Sequence, residues 1–500
     1  MKPLWDHPHI GRAALVVTAG VAAATFFRLT GFAATAILFT DECWHALVAL
    51  AIVGAKGLVT TTTAVLAEPL PLDYPPLFHL LTAVGYVVVG LPVFFYLNLV
   101  VAAGLLVLVL IGPGRLLDPV QKGSVALALL ATPLFVMYNL RLYTEMLTTL
   151  VFFGSWWWFA KALRDGRKQD AFWSGIFTGL LVWTKQTGLV VLGFYGLVLL
   201  WTVVRKQRAR SQVLAWIVGP AAVIAAGYLG PTFARGEHPL LFAYPTQHAE
   251  LWSAHMIYVP LSIFWDTLKA TYGTITLVML GLPVAILLAR DRRGYPYHYL
   301  VVLLALLALM FFIDRRIVER HTLLLLPLAA FLAVDALQRL GGRPATLAGF
   351  LVLLSMAIHH VATMPNYRVN FNPSKEFMQM TATIAQNTPP HARIVTQWFS
   401  EVRYYTGREL LWPVPTSDDP PVELFTEQSS DLWYQRLQAR KVDYLLIDDR
   451  YIADRTEFRF SRATLANLDA LTRQGRARLA ASAGALRLFQ IVPASGSPSP

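Results

Sequence analysis

The sequence predicts an α-helical polytopic membrane protein with a small C-terminal α/β domain. Of its 500 residues, 56% are hydrophobic and only 14% are charged, whereas a soluble domain averages about 45–50% apolar and about 25% charged residues. Apolar runs that are long enough to cross a bilayer recur along the first 365 residues. Beyond them, short strand patterns alternate with helical ones, which is typical of an α/β domain.

About 11 segments are predicted to span the membrane, since about 17–25 apolar residues cross its hydrocarbon core. They are 13–32, 92–111, 122–139, 145–161, 171–184, 187–204, 212–230, 271–289, 297–313, 322–338 and 344–362. The segment 77–90 follows Pro75 and Pro76 and has only 14 residues, so we expect an interfacial or re-entrant helix there. Residues 1–12 lead into an apolar run without a small-residue cleavage site, which indicates an uncleaved first span.

The basic residues set the predicted orientation in the membrane. With 77–90 kept at the interface and the N-terminus in the cytoplasm, the basic clusters 161–168, 205–210 and 290–293 all fall in inner loops, as the positive-inside rule requires. If 77–90 crossed the membrane, these clusters would lie outside, so we reject a span there. The formal charge of +12 is therefore mostly a topology signal, and its distribution argues against nucleic-acid binding.

Residues 366–493 are predicted to form an extracytoplasmic α/β domain, because an odd number of spans places them outside. The predicted strands are 393–396 and 442–447, and the predicted helices are 375–386, with Ser374 as a cap, 429–440 and 463–475. No Gly-rich phosphate loop follows either strand, so no nucleotide site is expected. Residues 494–500 are rich in Ser and Pro and are predicted to be disordered.

An acidic pair, Asp41 and Glu42, stands at the outer end of the first predicted span. Carboxylates at the mouth of a membrane helix are costly near lipid and therefore indicate a functional site. They could also cap the helix that follows, because negative charge favours a helix N-terminus. Cys43 is the only cysteine, so no internal disulfide can form, and we interpret it as a passive neighbour of the pair.

Three cations are predicted at the same outer face as the acidic pair. Lys185 lies between two apolar runs, where a cation needs a partner or an anion. Arg141 and Arg320 are predicted at similar depth, and arginine can bind a phosphate bidentately. Cations at a phosphate leaving group, with a carboxylate base at an acceptor, would make a group-transfer site.

Structural roles stay open for these cations at this point. Arg141 could pair with Glu145 at i,i+4 spacing. Lys185 could be a snorkelling side chain. Arg320 could anchor the chain at the interface or pair with Glu319. A metal site is not expected from His238, His248 and His255, because their spacing matches no tight ligand pattern.

These residues together resemble the GT-C superfamily of polyprenyl-phosphate-sugar glycosyltransferases, in particular bacterial relatives of protein O-mannosyltransferases and of the lipid A aminoarabinose transferase. The resemblance covers about residues 1–340 in order and spacing. It rests on Arg28 followed by Asp41-Glu42, on Tyr74-Pro75-Pro76-Leu77-Phe78, on Arg141-Leu142-Tyr143, on Gly179 to Lys185, and on Glu319-Arg320-His321 to Pro327.

The resemblance implies that residues 1–365 form a GT-C-like transmembrane domain in the inner, or plasma, membrane. Its first outer loop, 33–91, would hold two juxtamembrane helices. The enzyme would transfer a sugar from a polyprenyl-phosphate donor to a lipid, glycan or protein acceptor outside the cytoplasm, usually with inversion. Asp41 would be the general base on the acceptor hydroxyl, with Glu42 supporting it.

The resemblance also assigns roles around the two substrates. The residues expected to bind the donor phosphate are Arg141, Tyr143, Lys185 and Arg320. The residues expected to contact substrate are Tyr74, His45 and His321, the last of which is often tyrosine in the family. The aminoarabinose transferases have Glu-Lys where Asp73-Tyr74 stand here, which argues against a lipid A acceptor. Some relatives use a divalent metal at the acidic pair, whereas the mannosyltransferase branch need not. The ligands of such a metal here would be Asp41 and Glu42.

Three other functions compete with the transferase as interpretations of the sequence. A transporter or flippase would place charges near the bilayer midplane, often in repeated halves, but no repeat is visible in the sequence. A scaffold that only displays the C-terminal domain leaves Lys185 unexplained. An O-antigen ligase or polymerase would be favoured by a long outer loop between late spans, whereas the largest predicted outer mass here is C-terminal.

Overall fold

The computed structural model describes residues 8–39, 41–53, 77–112, 117–185, 188–204, 210–224, 323–367, 372–411, 423–452 and 460–493. The predicted spans 271–289 and 297–313 and the predicted tail 494–500 lie outside these residues. The chain forms two compact units. The first comprises Met1–Ala36, Tyr74–Leu241 and Met256–Asn370, and the second comprises Ile37–Asp73, Phe242–His255 and Phe371–Pro500.

Eleven helices occupy the described residues before Met364. They are α1 (Pro8–Ala33), α2 (Asp41–Val53), α3 (Leu77–Val89), α4 (Val93–Ile111), α5 (Pro119–Leu130), α6 (Pro133–Asn139), α7 (Glu145–Asp165), α8 (Lys168–Thr184), α9 (Gly188–Val204), α10 (Arg210–Ile224) and α11 (Leu326–Thr363). All of them except α2 belong to the first unit.

Three helices in the described part of the chain are long and apolar enough to cross a membrane, namely His9–Ala33, Val93–Ile111 and Leu323–Thr363. The pair α5 and α6 would make a fourth crossing if it is counted as one broken span. Shorter apolar helices cover Leu77–Val89, Gly188–Trp201 and Ser211–Val223.

The predicted span 122–139 is not one straight helix, which corrects the sequence interpretation. It is divided into α5 and α6, which meet at an angle of 70°. Thr132 is extended, with φ −92° and ψ 113°, and Pro133 opens α6. Proline has no backbone N–H and disfavours helical backbone in the residue before it, so the bend falls at this position.

The two last predicted spans, 322–338 and 344–362, are joined in α11 around a break at Gly342. This residue has φ 64° and ψ −158°, a conformation that is open essentially to glycine alone. Close packing elsewhere in the first unit also depends on a glycine. A Cβ on Gly175 of α8 would stand 2.3 Å from the carbonyl oxygen of Trp216 in α10, so only hydrogen fits between these helices.

The second unit contains a five-stranded mixed sheet with the order β2-β1-β3-β5-β4. Its strands are β1 (Arg393–Thr396), β2 (Glu409–Leu411), β3 (Tyr444–Asp448), β4 (Ala477–Ala483) and β5 (Leu486–Ile491), and its helices are α12 (Lys375–Asn387), α13 (Phe399–Thr406), α14 (Glu423–Thr426), α15 (Ser430–Ala439) and α16 (Arg462–Arg473). Strand β1 pairs in parallel with β2 and β3, whereas β5 pairs antiparallel with β3 and β4.

The sheet is buried on both faces, because successive side chains of a strand point to opposite sides. In β3, Leu445 and Ile447 belong to one apolar cluster, and Tyr444 and Leu446 belong to the other. A strand buried on both sides is expected to be an almost continuous apolar run, and Tyr444–Asp448 is completely buried.

Both predicted strands are present, and Ser374 caps α12 by accepting a hydrogen bond from the Phe377 N–H at 3.2 Å. Strands β2, β4 and β5 and helix α13 were not predicted from the sequence. The residues of β4, Ala477–Ala483, have few side chains that favour strands, and they become a strand by pairing with β5.

Candidate functional site

The acidic pair forms the first turn of α2. Negative charge is favourable there, because the N-terminal N–H groups of a helix carry partial positive charge. The Glu42 carboxylate reaches back to accept a hydrogen bond from the Phe39 N–H at 3.2 Å. The Glu42 N–H donates in turn to the Phe39 carbonyl at 3.3 Å. Glu42 is therefore fixed against the residue that precedes the helix.

The two carboxylates have different surroundings. Glu42 is completely buried, whereas Asp41 is partly exposed. His45 lies one turn further along α2 and is 2% exposed. Since residues three and four positions apart share a helix face, His45 lies on the same side of α2 as the pair. Asp41 is thus the carboxylate within reach of solvent, and Glu42 is the buried one.

The predicted phosphate-binding residues that the structure describes lie in the first unit, around the connection between α6 and α7. Asn98 of α4 fixes this connection, because its side-chain amide donates to the carbonyls of Arg141 and, at 2.8 Å, of Tyr143. The Arg141 guanidinium donates to the Tyr143 hydroxyl at 2.7 Å. Each of these two side chains is 5% exposed.

Lys185 follows α8 directly, and its Nζ lies 2.9 Å from the Glu145 carboxylate at the start of α7. The exposed fractions of the two side chains are 17% and 6%. Glu145 is thus the counter-charge that the sequence required for a lysine between two apolar runs. A lysine ammonium has three N–H donors, so Lys185 can hold Glu145 and still donate to an anion.

Arg28 has a structural role at the end of α11, although it is one of the features that resemble the family. Its guanidinium donates to the carbonyls of Val361, Ala362 and Met364, the last at 2.7 Å. The final carbonyls of a helix lack partners within the helix, and a cation there also suits the helix dipole. Arg28 is therefore a C-terminal cap.

Three of the predicted substrate-binding residues lie outside the described part of the chain: Tyr74, Arg320 and His321. The three histidines considered as metal ligands, His238, His248 and His255, also lie outside it. Among the residues that the structure does describe, no group of three or more His, Cys, Asp or Glu side chains is placed to hold a metal ion.

Asn98 was missed as a site residue by reasoning from the sequence. The available signal was its position, since an amide inside the apolar helix Val93–Ile111 is unusual and needs a partner. Its partners are backbone carbonyls more than forty residues away in the chain, and nothing in the local pattern identifies them.

Comparisons with known proteins show the fold. No protein-family model matches the chain, and no curated protein matches it in sequence. Among solved structures, it is similar to ArnT from Cupriavidus metallidurans bound to undecaprenyl phosphate, with a TM-score of 0.64 and 13% identity. That similarity covers 97% of this chain and 99% of ArnT.

A second similarity is to the oligosaccharyltransferase AglB from Archaeoglobus fulgidus. In its complex with an inhibitory peptide and a dolichol-phosphate, the TM-score is 0.55 and the identity 11%, over 88% of this chain and 69% of AglB. In its complex with Zn and sulfate, the TM-score is 0.57 and the identity 12%, over 87% and 68%. The chain therefore has the fold of these GT-C glycosyltransferases, as its resemblance to the superfamily indicates.

Proposed function

We propose that the protein is an integral membrane glycosyltransferase that moves a sugar from a polyprenyl-phosphate donor to an acceptor hydroxyl on the extracytoplasmic side. The observation that carries this proposal is the position of Asp41, a partly exposed carboxylate in the first turn of α2, within a chain that shares its fold with ArnT over 97% of its length. That ArnT structure holds undecaprenyl phosphate.

Asp41 is the general base in this proposal. It takes the proton of the acceptor hydroxyl while the hydroxyl oxygen forms a bond to the anomeric carbon of the donor sugar. The bond between that carbon and the phosphate oxygen breaks, and polyprenyl phosphate leaves with the bonding electrons. Attack opposite the leaving group inverts the anomeric centre. Base catalysis of this kind contributes about 10²–10⁴-fold in rate.

In this proposal, the donor phosphate is bound by Lys185, Arg141, Tyr143 and Arg320. The leaving phosphate gains negative charge as the sugar departs, and fixed donors aimed at such charge are a major source of catalysis. Support comes from the way in which these groups are held. Glu145 fixes the Lys185 ammonium, and Asn98 fixes the backbone that carries Arg141 and Tyr143.

The proposed topology has about eleven crossings of the inner, or plasma, membrane, with the N-terminus in the cytoplasm and the sheet-containing unit outside. The positive-inside distribution of the basic clusters supports this orientation. The acceptor is a lipid, a glycan or a protein. A divalent metal at Asp41 and Glu42 is a secondary proposal, supported by the Zn complex of AglB.

The proposal is tested by mass spectrometry of glycans and glycolipids from a strain that lacks the gene. We expect one glycan or glycolipid to lose a single sugar residue and to regain it when the wild-type gene is restored. Asp41→Asn should fail to restore it at equal protein level. An unchanged glycan and glycolipid profile in the deletion strain would refute the proposed function.

A further inference from the structure

The segment Ile37–Phe39 precedes the acidic pair and is held by side chains from the C-terminal part of the same unit. The Ile37 N–H donates to Asn372 Oδ1 at 3.1 Å, and the Leu38 carbonyl accepts a hydrogen bond from the Tyr405 hydroxyl. Leu38 itself is only 1% exposed. The backbone just before Asp41 is thus fixed at two successive residues.

Phe39 is fixed through its ring. It stacks on Trp398 with a centroid separation of 5.3 Å and an interplanar angle of 29°. It also meets Phe377 edge to face at 5.4 Å, and Phe377 contacts Trp398 at 5.8 Å. Three mutually contacting rings give Phe39 a defined place, because aromatic pairs prefer stacked and edge-to-face geometries.

The position of Trp398 is set by the sheet. Its indole N–H donates to the Asp448 carboxylate at 3.2 Å. Asp448 is the last residue of β3, is completely buried, and also accepts a hydrogen bond from Arg450 at 2.7 Å. The indole ring therefore lies between the end of a central strand and Phe39.

Phe39 connects the Trp398 ring to the acidic pair. Its N–H and carbonyl are the groups to which Glu42 is hydrogen-bonded. Helix α2 also packs against α13, the helix that carries Tyr405. A continuous set of contacts thus runs from β3 through Trp398 and Phe39 to Glu42, the immediate neighbour of Asp41.

We propose that Trp398 and Tyr405 are positioning residues for the Asp41–Glu42 pair, which gives the C-terminal part of the second unit a role in the chemical step. This inference rests on the proposed function, in which Asp41 is the base. Small changes in the position of a reacting group matter, because a displacement of about 1 Å can lower the rate about 10²-fold. The two side chains touch neither substrate in this proposal and act only through Ile37–Phe39.

The test uses Tyr405→Phe in the full-length protein, with Tyr434→Phe as its matched control. Each variant loses one hydrogen bond from a tyrosine hydroxyl to a backbone carbonyl. The Tyr434 hydroxyl donates to Val492 at 2.6 Å, and Tyr434 belongs to the apolar cluster on the opposite face of the sheet from Tyr405. Trp398→Phe removes the indole N–H but keeps an aromatic ring, and Trp398→Ala removes the whole ring.

Hydrogen–deuterium exchange of the peptide 37–45 measures how firmly the segment Ile37–Phe39 and the start of α2 are held. This measurement does not require an active enzyme. We expect Tyr405→Phe to raise its exchange about fivefold, which corresponds to one hydrogen bond of about 1 kcal/mol. Trp398→Ala should raise exchange further than Trp398→Phe, and Tyr434→Phe should leave it unchanged. Equal exchange of this peptide in the two tyrosine variants would overturn the inference, even if the Trp398 variants fail to fold.

The kinetic measurement separates positioning from mere support of the fold. We expect Tyr405→Phe to lower kcat about fivefold at unchanged donor KM, and Tyr434→Phe to change neither. Raised exchange with a wild-type kcat would show that the contacts to Ile37–Phe39 are only structural, and it would also overturn the inference. Failure of the proposed function is seen separately, as full transfer by Asp41→Asn, whatever Tyr405→Phe does.

Discussion

Asp41 and Glu42 are neighbours in the sequence, but their environments differ. Glu42 is buried and bonded to the backbone of Phe39, whereas Asp41 is partly exposed. A buried carboxylate is well suited to hold a local structure, and a carboxylate within reach of solvent can accept a proton from an entering substrate. The sequence alone does not distinguish the two carboxylates, whereas the structure shows that they differ in burial.

Lys185 provides a prediction at the residue scale. Lys185→Met removes one of the proposed donors to the phosphate. We therefore expect the Kd for a polyprenyl phosphate to rise about tenfold to a hundredfold, as for a lost hydrogen bond to a charged group of about 1.5–3 kcal/mol. It also leaves Glu145 buried without this cation, which should lower stability by about 3 kcal/mol. Lipid binding and thermal unfolding of the purified protein measure the two effects.

The control for this experiment is Lys161→Met. Lys161 pairs with Asp170 at 3.0 Å and joins the same two helices, α7 and α8, at their other ends. The exposed fraction of its carboxylate partner, 4%, is close to that of Glu145. We expect Lys161→Met to lower the unfolding midpoint while the Kd stays at the wild-type value. Equal affinity of the two variants for the lipid would contradict the role given to Lys185.

At the scale of elements, the break in α11 gives a prediction about stability. Gly342→Ala places a Cβ in a backbone conformation that costs about 1–3 kcal/mol for other residues, although the nearest atom to that Cβ, Pro344 Cδ, is 3.8 Å away. We therefore expect a lower midpoint of thermal unfolding. Gly20→Ala is the control, since Gly20 lies inside α1 and its added Cβ would meet nothing within 4 Å.

The Gly342 experiment separates backbone conformation from packing. Gly20→Ala should leave the midpoint unchanged or raise it, because alanine favours a helix over glycine by about 1 kcal/mol. If Gly342→Ala were as stable as Gly20→Ala, the break in α11 would not require a positive φ.

The elements that the sequence predicts best are those with a strong local signal. Apolar runs of sufficient length mark α1 and α4, and a serine before a helical pattern marks the start of α12. Strand β4 lacks such a signal, because pairing with β5 decides its structure. The bend between α5 and α6 could have been predicted, since Pro133 stands inside the predicted span.

Site contacts were less predictable than helices because they join distant parts of the chain. Lys185 was expected to need a counter-charge, but Glu145 is its partner across forty positions. The contacts of Phe39 with Trp398 and Phe377 join two segments of the second unit that lie far apart in the sequence. No periodicity or spacing in the sequence encodes either contact.

At the scale of the whole molecule, the proposed topology places the start of α8 and helix α12 on opposite sides of the membrane. Gln169→Cys and Gln386→Cys test this with matched, exposed positions. The single native cysteine, Cys43, is buried and gives little background. We expect a membrane-impermeant maleimide to label Gln386→Cys in intact cells or spheroplasts and Gln169→Cys only after permeabilisation. The reverse pattern would contradict the assigned orientation.

The central claim is that Asp41 is the base of a sugar transfer from a polyprenyl phosphate. The most direct test is the rate of transfer by Asp41→Asn in membranes supplied with a polyprenyl-phosphate sugar. We expect the rate to fall by about 10²–10⁴-fold while binding of polyprenyl phosphate is retained. Asp469→Asn, at an exposed position on α16, should transfer at the wild-type rate. Full transfer by Asp41→Asn would contradict the claim.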